Sequence, residues 1–353
     1  MRPALGIIEG FYGKAWSWAE RAETAAFLAP HGYRFYIYAP KADAFLRARW
    51  QEDHPREEAQ HLRMFAARCR ELGVSFGVGL SPFEIYRDFG REARASLVRK
   101  LNFFRDLGVD ELAILFDDMK GDVPELAEKQ VDILHWIAER ATAKRLIACP
   151  TYYSDDPVLD RVFGQRPENY LNEFGARLDP SIDVFWTGEE VCARAFTPGH
   201  LERICNLLGR KPVLWDNYPV NDGKRMSRYL HLQAFTGRPA SIADFVAGHA
   251  INPALQPILS RIPALTLVES YEKGDAYEYG CAFDAAAATV VGERLARALK
   301  KDLLQLQDTG LERLGDARER LRRRYAAFDH PAAREIVSWL DGVYSAEPIV
   351  ATS

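Results

Sequence analysis

Short apolar runs alternate with amphipathic stretches along most of the chain. The runs have the length and the β-branched and aromatic content of strands, and the stretches between them have the apolar spacing of helices. Such alternation is typical of a parallel sheet covered by helices. We predict strands at Leu5–Glu9, Tyr33–Tyr38, Val74–Leu80, Glu111–Phe116, Arg145–Cys149, Ile182–Trp186, Pro212–Trp215 and Phe245–Ile251.

Eight strand–helix units predict an α/β fold, the (β/α)8 TIM barrel, whose active sites lie at the carboxyl ends of the strands. A doubly wound open sheet is the alternative, because periodicity alone does not show that the sheet closes. The first helix is predicted to begin after Ser17, since Ser17 and Glu20 have capping-box spacing. Further helices are predicted at about 57–72, at about 91–107 and from Pro124 onward.

The pattern changes after the eighth unit. Residues Val291, Leu295, Leu299, Leu303 and Leu306 recur at helical spacing. Asp284 is the predicted N-cap of this helix and Gly310 its end, with two more helices at 311–327 and 331–344. We therefore divide the chain into a barrel (1–275), a small C-terminal helical appendage (276–345) and a disordered tail (346–353). The apolar stripe is compatible with a homodimer through these helices, although packing within the chain is its commoner use.

Composition narrows the function. With 46 Lys and Arg against 50 Asp and Glu, the formal net charge of −4 argues against nucleic acid as a partner. A membrane partner is not expected either, because no apolar stretch approaches about 18 residues. The first residues are too quickly polar for a signal peptide, so a cytoplasmic location is expected. Five scattered cysteines and dispersed histidines predict no metal site, and no glycine motif predicts a nucleotide cofactor.

The residues that follow the predicted strands are unusually polar and aromatic. They are Glu9-Gly10-Phe11-Tyr12-Gly13, Pro40-Lys41, Asp117-Asp118, Thr151-Tyr152-Tyr153, Thr187-Gly188, Asp216-Asn217 and Asn252-Pro253. In a barrel these side chains converge on one mouth. Aromatic faces beside a few polar groups suit a sugar ring, which has apolar CH faces and a rim of hydroxyls.

The Asp117-Asp118 pair is the sharpest single signal. Adjacent side chains of a regular strand point to opposite faces, so two functional neighbours require the strand to end there. We expect one carboxylate to stay ionised and the other to have a raised pKa, which separates an electrostatic stabiliser from a proton donor. An Asx turn and a helix N-cap would explain an isolated pair. The other polar strand ends favour a functional pair here.

Seven short blocks carry a resemblance to the catalytic domain of glycoside hydrolase family 84, which contains protein O-GlcNAcases and bacterial N-acetyl-β-glucosaminidases. The blocks are Glu9–Gly13, Tyr38–Lys41, Phe116–Asp118, Cys149–Thr151, Asp183–Gly188, Trp215–Asn217 with Asn221-Asp222, and Asn252-Pro253. Each block is short, but the set occurs in family order. The resemblance implies a retaining exo-β-N-acetylglucosaminidase without metal or organic cofactor, acting on a GlcNAc-bearing glycoprotein or glycoside.

The resemblance also implies substrate-assisted catalysis, in which the 2-acetamido oxygen attacks the anomeric carbon and forms an oxazoline. Asp117 would orient the acetamido group and stabilise its developing charge, and Asp118 would be the general acid and base. The implied substrate-binding residues are Gly10, Lys41, Cys149, Tyr153, Thr187, Val191, Trp215, Asp216, Asn217, Asp222 and Asn252. Among these, Cys149, Thr187 and Val191 would line the acetamido methyl pocket beside Trp215. Without the resemblance, Lys41, Trp215 and Cys149 are better explained as a surface charge, a core residue at the end of a strand and a buried apolar filler.

Two alternatives stay open at this stage. One is a catalytically silent GlcNAc-binding barrel, which the intact carboxylate pair argues against. The other is a conventional glycosidase, in which a second enzyme carboxylate is the nucleophile. Its candidate nucleophiles on other strand ends are Glu9, Glu84 and Glu189.

Overall fold

Eight parallel strands close into a barrel in the computed structural model, which describes residues 2–345. The strands pair in chain order, and the last pairs back with the first, where Leu5 lies opposite His249. Closure distinguishes a barrel from a doubly wound sheet, so the predicted (β/α)8 fold is confirmed and the open sheet is excluded. The strands are β1 Leu5–Glu9, β2 Tyr33–Tyr38, β3 Ser75–Leu80, β4 Glu111–Leu115, β5 Arg145–Cys149, β6 Asp183–Trp186, β7 Val213–Asp216 and β8 Gly248–Ile251.

Helices follow the strands and then continue beyond the barrel. Within the described residues they are α1 Trp18–Leu28, α2 Arg56–Glu71, α3 Arg91–Leu107, α4 Leu126–Ala138, α5 Val158–Phe163, α6 Tyr170–Arg177, α7 Pro198–Leu208, α8 Gly223–Met226, α9 Arg261–Lys273, α10 Tyr279–Leu304, α11 Ala317–Ala326 and α12 Pro331–Leu340. The predicted capping box is confirmed, since Ser17 Oγ accepts from Glu20 N at 3.2 Å and Ser17 N donates to Glu20 Oε2 at 2.6 Å.

Several element boundaries differ from the prediction by a few residues, such as those of α11 and α12, and two differences have a local structural cause. Strand β8 begins at Gly248 instead of Phe245, because Phe245 completes a 3₁₀ turn over Ala240–Phe245. Asp284 is not an N-cap: α10 already begins at Tyr279, and the Asp284 carboxylate accepts from Lys300 Nζ at 2.5 Å. Gly310 does end this helical stretch, after a π-helical turn over Gln305–Thr309.

The buried apolar side chains form two clusters. The first fills the barrel and the space between the strands and α1–α7. The second, which we call the C-terminal cluster, joins α10–α12 to the loops after β1, β7 and β8; its members include Phe11, Val220, Leu255, Leu299 and Trp339. The predicted division at residue 275 stays a prediction, and this cluster contains residues from both sides of it. The predicted tail, 346–353, lies outside the described residues.

None of the helices that the structure describes is both long and apolar enough to cross a membrane.

Candidate active site

A cavity of about 570 Å³, open to solvent, lies at the carboxyl ends of the barrel strands. The lining residues are Gly10, Tyr12, Lys41, Asp117, Asp118, Cys149, Tyr153, Thr187, Val191, Cys192, Trp215, Asn217, Val220, Asp222 and Asn252. The catalytic and substrate-binding residues implied by the family resemblance are all among them except Asp216. The cavity is therefore where the polar strand ends converge, as expected for this fold.

Asp117 and Asp118 both line the cavity because the chain leaves the strand conformation between them. Strand β4 ends at Leu115, and Asp118 has a left-handed backbone with φ of 56°. Aspartate adopts this region more readily than most residues. The turn cancels the strand alternation that would have sent the two side chains to opposite faces.

The Asp117 carboxylate has one engaged oxygen and one unpartnered oxygen. Lys41 Nζ donates to Oδ2 in an ion pair that is almost wholly buried. Asp117 is only 5% exposed, yet no donor from residues 2–345 reaches Oδ1. A buried acceptor without a donor is unfavourable by about 1–3 kcal/mol, so the arrangement suits a ligand that brings its own N–H or O–H.

The Asp118 carboxylate is held by two tyrosine hydroxyls. Tyr12 donates to Oδ2 at 2.6 Å and Tyr153 to Oδ1 at 3.2 Å, while Arg47 Nη2 donates to the Asp118 carbonyl at 3.0 Å. Burial raises the pKa of Asp118, but the charges of Lys41 and Arg47 and the two hydroxyl bonds outweigh it and lower the pKa. The expectation of a raised pKa for the proton donor of the pair is therefore wrong for Asp118 in this structure.

A chain of amide groups forms the opposite side of the cavity. Asn217 Oδ1 accepts from Trp215 Nε1 and from Asn252 Nδ2, both at 3.0 Å, and Asn217 Nδ2 donates to the Val191 carbonyl at 2.8 Å. Gly10 N donates to Asn252 Oδ1 at 3.1 Å. A Cβ at Gly10 would lie 2.2 Å from the Trp215 ring, so glycine lets this loop rest against the indole.

Tyr12 connects Asp118 to a third carboxylate in the cavity. Its backbone N–H donates to Asp222 Oδ2 at 2.7 Å, while its hydroxyl donates to Asp118. Burial and the negative charge of Asp118 raise the pKa of Asp222, against the Tyr12 bond, which lowers it. Tyr12 was not predicted to have a role in the site, although it lies within the polar strand-end run Glu9–Gly13. The other lining residues that were not predicted, Cys192 and Val220, carried no signal of that kind.

The less polar wall of the cavity contains Cys149, Thr187 and Val191. Thr187 N donates to the Tyr153 carbonyl at 3.0 Å, which joins the ends of β5 and β6. Burial raises the pKa of the Cys149 thiol, with the charge of Asp117 adding to the effect. The thiol is therefore protonated at neutral pH and acts as a small apolar group.

Asp216 does not bind in the cavity, in contrast to the prediction. Its carboxylate is 0% exposed and accepts from Arg238 Nε at 2.8 Å, Arg238 Nη2 at 2.7 Å and His249 Nε2 at 3.0 Å. Strand alternation is the reason, since Trp215 and Asn217 face the cavity and the residue between them faces away. The charge of Arg238 and the His249 bond outweigh burial and lower the pKa of Asp216.

The three candidate nucleophiles on other strand ends do not line the cavity. Glu9 is buried in an ion pair with Arg21 at 2.7 Å, and Glu84 pairs with Arg87 at 2.8 Å. Glu189 is exposed and approaches His200 Nδ1 at 3.7 Å. Among the described residues, Asp222 is the one carboxylate besides the pair that lines the cavity.

Metal ligation finds no support in the part of the chain that the structure describes, where no three His, Cys, Asp or Glu side chains are placed to hold a metal ion.

Comparisons with known proteins agree with this geometry. The family model for beta-N-acetylglucosaminidase matches residues 5–304. The protein O-GlcNAcases of Mus musculus and Rattus norvegicus are each 30% identical over 277 residues, which is 76% of this chain. The chain spans about 30% of the length of these curated relatives.

A solved structure extends the likeness to the whole fold. A mutant of the Thermobaculum terrenum O-GlcNAc hydrolase is similar with a TM-score of 0.80 and 29% identity, covering 96% of this chain and 80% of that one. The extent of the family match confirms the resemblance carried by the strand-end blocks. The chain belongs to the beta-N-acetylglucosaminidase family, glycoside hydrolase family 84.

Proposed function

We propose that the protein is a retaining exo-β-N-acetylglucosaminidase that hydrolyses terminal β-linked GlcNAc by substrate-assisted catalysis through an oxazoline. The observation that carries the proposal is the unpartnered Asp117 Oδ1, buried beside Asp118 in the cavity at the carboxyl ends of the strands. The N–H of a 2-acetamido group would supply the missing donor. A sugar with a hydroxyl at C2 would present a different geometry and no internal nucleophile.

Asp117 is proposed to fix the acetamido group for attack. With Oδ2 engaged by Lys41, Oδ1 accepts the acetamido N–H and turns the carbonyl oxygen toward the anomeric carbon. Nucleophile and electrophile then belong to one molecule, so the first step needs no further encounter. The carboxylate also stabilises the positive charge that develops as the oxazolinium ring closes.

Asp118 is proposed to protonate the departing oxygen and then to take a proton from the water that opens the ring. Its lowered pKa before substrate binds is compatible with this role if the Tyr153 hydroxyl turns to the acetamido oxygen. Asp118 then loses one of its two hydroxyl donors, and burial favours the protonated form. The same contact would therefore orient the nucleophile and prepare the acid.

The remaining assignments concern recognition of the sugar. The Gly10 carbonyl and Lys41 are proposed to contact ring hydroxyls, Asp222 the hydroxyls at C4 and C6, and Asn252 the rim of the sugar. Asn217 would brace the acetamide beside Asp117. The acetamido methyl group is proposed to lie against Trp215 and the wall formed by Cys149, Thr187 and Val191, all of which line the one cavity.

The test compares an aryl β-GlcNAc with the matching aryl β-glucoside, using the wild type and Asp118→Asn. Activity confined to the acetamido sugar supports substrate assistance. Hydrolysis of both sugars would favour a conventional mechanism, with Asp222 as the available nucleophile. Binding of GlcNAc without hydrolysis of either glycoside would favour the silent sugar-binding barrel.

The natural substrate is proposed to carry GlcNAc on a protein or another glycoside, and the names of the curated relatives favour the protein-linked sugar. A cytoplasmic location, no nucleic-acid partner and a homodimer through α10–α12 remain proposals that rest on charge and patterning. Sedimentation velocity tests the dimer, and release of GlcNAc from a glycopeptide tests the aglycone.

A further inference from the structure

A buried arginine behind the cavity uses every donor it has. Arg238, 7% exposed, donates from Nε and Nη2 to Asp216 at 2.8 and 2.7 Å. Nη2 also donates to the Ala193 carbonyl at 2.8 Å, and Nη1 donates to the carbonyls of Arg194 at 2.6 Å and Thr236 at 2.8 Å. A guanidinium has five N–H groups in a fixed plane, and all five are engaged.

Two of those carbonyls, from Ala193 and Arg194, directly follow Val191 and Cys192, which line the cavity. Residues 191–194, which we call the wall segment, lie between β6 and α7 without helix or strand structure. Val191 is held at its N–H by Asp156 Oδ2 at 3.2 Å and at its carbonyl by Asn217. Arg238 binds the carbonyls of Ala193 and Arg194, so it fixes the second half of the wall segment.

Close backbone packing supports the same contact. Gly237, with φ of 69°, lies directly against the wall segment, because a Cβ there would be 2.5 Å from the Arg194 carbonyl oxygen. The Gly237 carbonyl accepts from Phe196 N at 2.9 Å. The position of the wall segment is therefore set by residues 237 and 238 acting together.

We propose that Arg238, oriented by Asp216, is a positioning residue that fixes the wall segment and so limits the size of the N-acyl group that the cavity accepts. The inference rests on the proposed function, which places the acetamido methyl group against Val191. Neither Arg238 nor Asp216 touches the sugar. Their effect passes through backbone carbonyls to the apolar wall.

The experiment measures acyl-group selectivity in Arg238→Lys. Lysine keeps the charge but lacks the planar fork, so it cannot hold Asp216 and two carbonyls at once. The readout is the ratio of kcat/KM for the p-nitrophenyl glycosides of N-acetyl- and N-propanoyl-glucosamine. One methylene in an apolar pocket changes selectivity by about 10- to 200-fold, so we expect the ratio to fall by about tenfold or more when the wall loosens.

Arg210→Lys is the matched control. Arg210 also binds several carbonyls, but at the amino-terminal ends of β6 and β7, away from the cavity; they are those of Gly175, Leu178, Asp179, Ile182 and Leu208. The control therefore reproduces the loss of an arginine clamp without touching the wall segment. We expect its selectivity ratio to stay within about twofold of the wild type, as for a distant site.

Gly237→Ala provides a second variant that keeps Arg238. The added Cβ would push the Arg194 carbonyl away, so the selectivity ratio should fall here too, even if Arg238→Lys does not fold. An unchanged ratio in the folded variants, or an equal fall in Arg210→Lys, would overturn the role of Arg238. A wild type inactive on the acetamido glycoside would instead contradict the proposed function itself.

Discussion

The carboxyl ends of β4 and β7 each carry a buried aspartate, and the two are satisfied in opposite ways. Asp216 on β7 accepts three hydrogen bonds, from Arg238 and His249. Asp117 on β4 accepts one ion-paired bond from Lys41 and keeps a second oxygen without a donor among the described residues. An aspartate at the carboxyl end of the barrel is therefore fully bound by the protein after one strand, and after the other it keeps an unsatisfied hydrogen-bond acceptor.

The difference shows how a site can be told from a scaffold inside one barrel. Both oxygens of the Asp216 carboxylate are engaged by donors from the protein, so neither is a buried acceptor without a partner. A buried carboxylate with an empty acceptor is destabilised until a donor arrives, and the donor can come from substrate. Hydrogen-bond satisfaction, more than burial or charge, separates the two aspartates.

The largest effect is expected for a substitution of Asp118, the neighbour of Asp117. Asp118→Asn removes the proposed proton donor, so kcat/KM for a substrate with a poor leaving group should fall by about 10²–10⁴-fold. An activated aryl glycoside, whose leaving group needs little protonation, should lose much less. Steady-state kinetics on both substrates measure this, and equal losses would contradict the acid assignment.

Asp216→Asn should act on stability. The amide would turn an N–H₂ group toward Arg238 or His249 and leave the guanidinium without a buried counter-charge, which is expected to lower the free energy of unfolding by about 3–5 kcal/mol. Urea denaturation measures the loss. A change in the free energy of unfolding below about 1 kcal/mol would contradict the structural role of Asp216.

Asp117→Asn is the isosteric counterpart and should act on chemistry. The amide can still accept from Lys41, but it presents a donor where the acetamido N–H needs an acceptor. We expect kcat to fall by about 10²–10³-fold with every leaving group, as when one electrostatic contact to the transition state is lost. Its free energy of unfolding, measured in the same urea series, should fall by less than that of Asp216→Asn, because the Asp118 carboxylate stays near Lys41 as a counter-charge. Retained activity would contradict the role of the open oxygen.

The smallest effect is expected for a substitution of Tyr12, which changes the pKa of Asp118. Tyr12→Phe removes a 2.6 Å bond to the ionised form of Asp118, so the pKa of Asp118 rises. An acid with a higher pKa stays protonated to higher pH, and the alkaline limb of the kcat/KM profile should therefore move to higher pH. A limb that stays in place or moves to lower pH would contradict the assignment.

Local patterning predicted the fold well because each element carries its own signal. The apolar runs located all eight strands, and the Ser17–Glu20 box located the first helix. The errors fall where neighbours in space decide: Phe245 is as apolar as a strand residue but closes a turn, and Asp284 resembles a cap but lies inside a helix.

The part of the site that lies in the strand-end runs and in the blocks of the family resemblance could be predicted from the sequence. Alternation along β7 could have excluded Asp216, since Trp215 and Asn217 share one face. Arg238 had no signal, because its five acceptors come from three separate segments of the chain. The lowered pKa of Asp118 likewise depends on Lys41, Arg47, Tyr12 and Tyr153, which only the folded barrel brings together.

The C-terminal cluster determines how much of the chain is needed to keep this site intact. Phe11 precedes Tyr12, and Val220 lies two residues before Asp222; both apolar side chains are buried with residues of α10–α12. A barrel trimmed after its eighth unit would keep the carboxylate pair but expose the underside of the rim that carries Tyr12 and Asp222. A design that transfers this site to another protein must therefore include α10–α12 as well as the barrel strands.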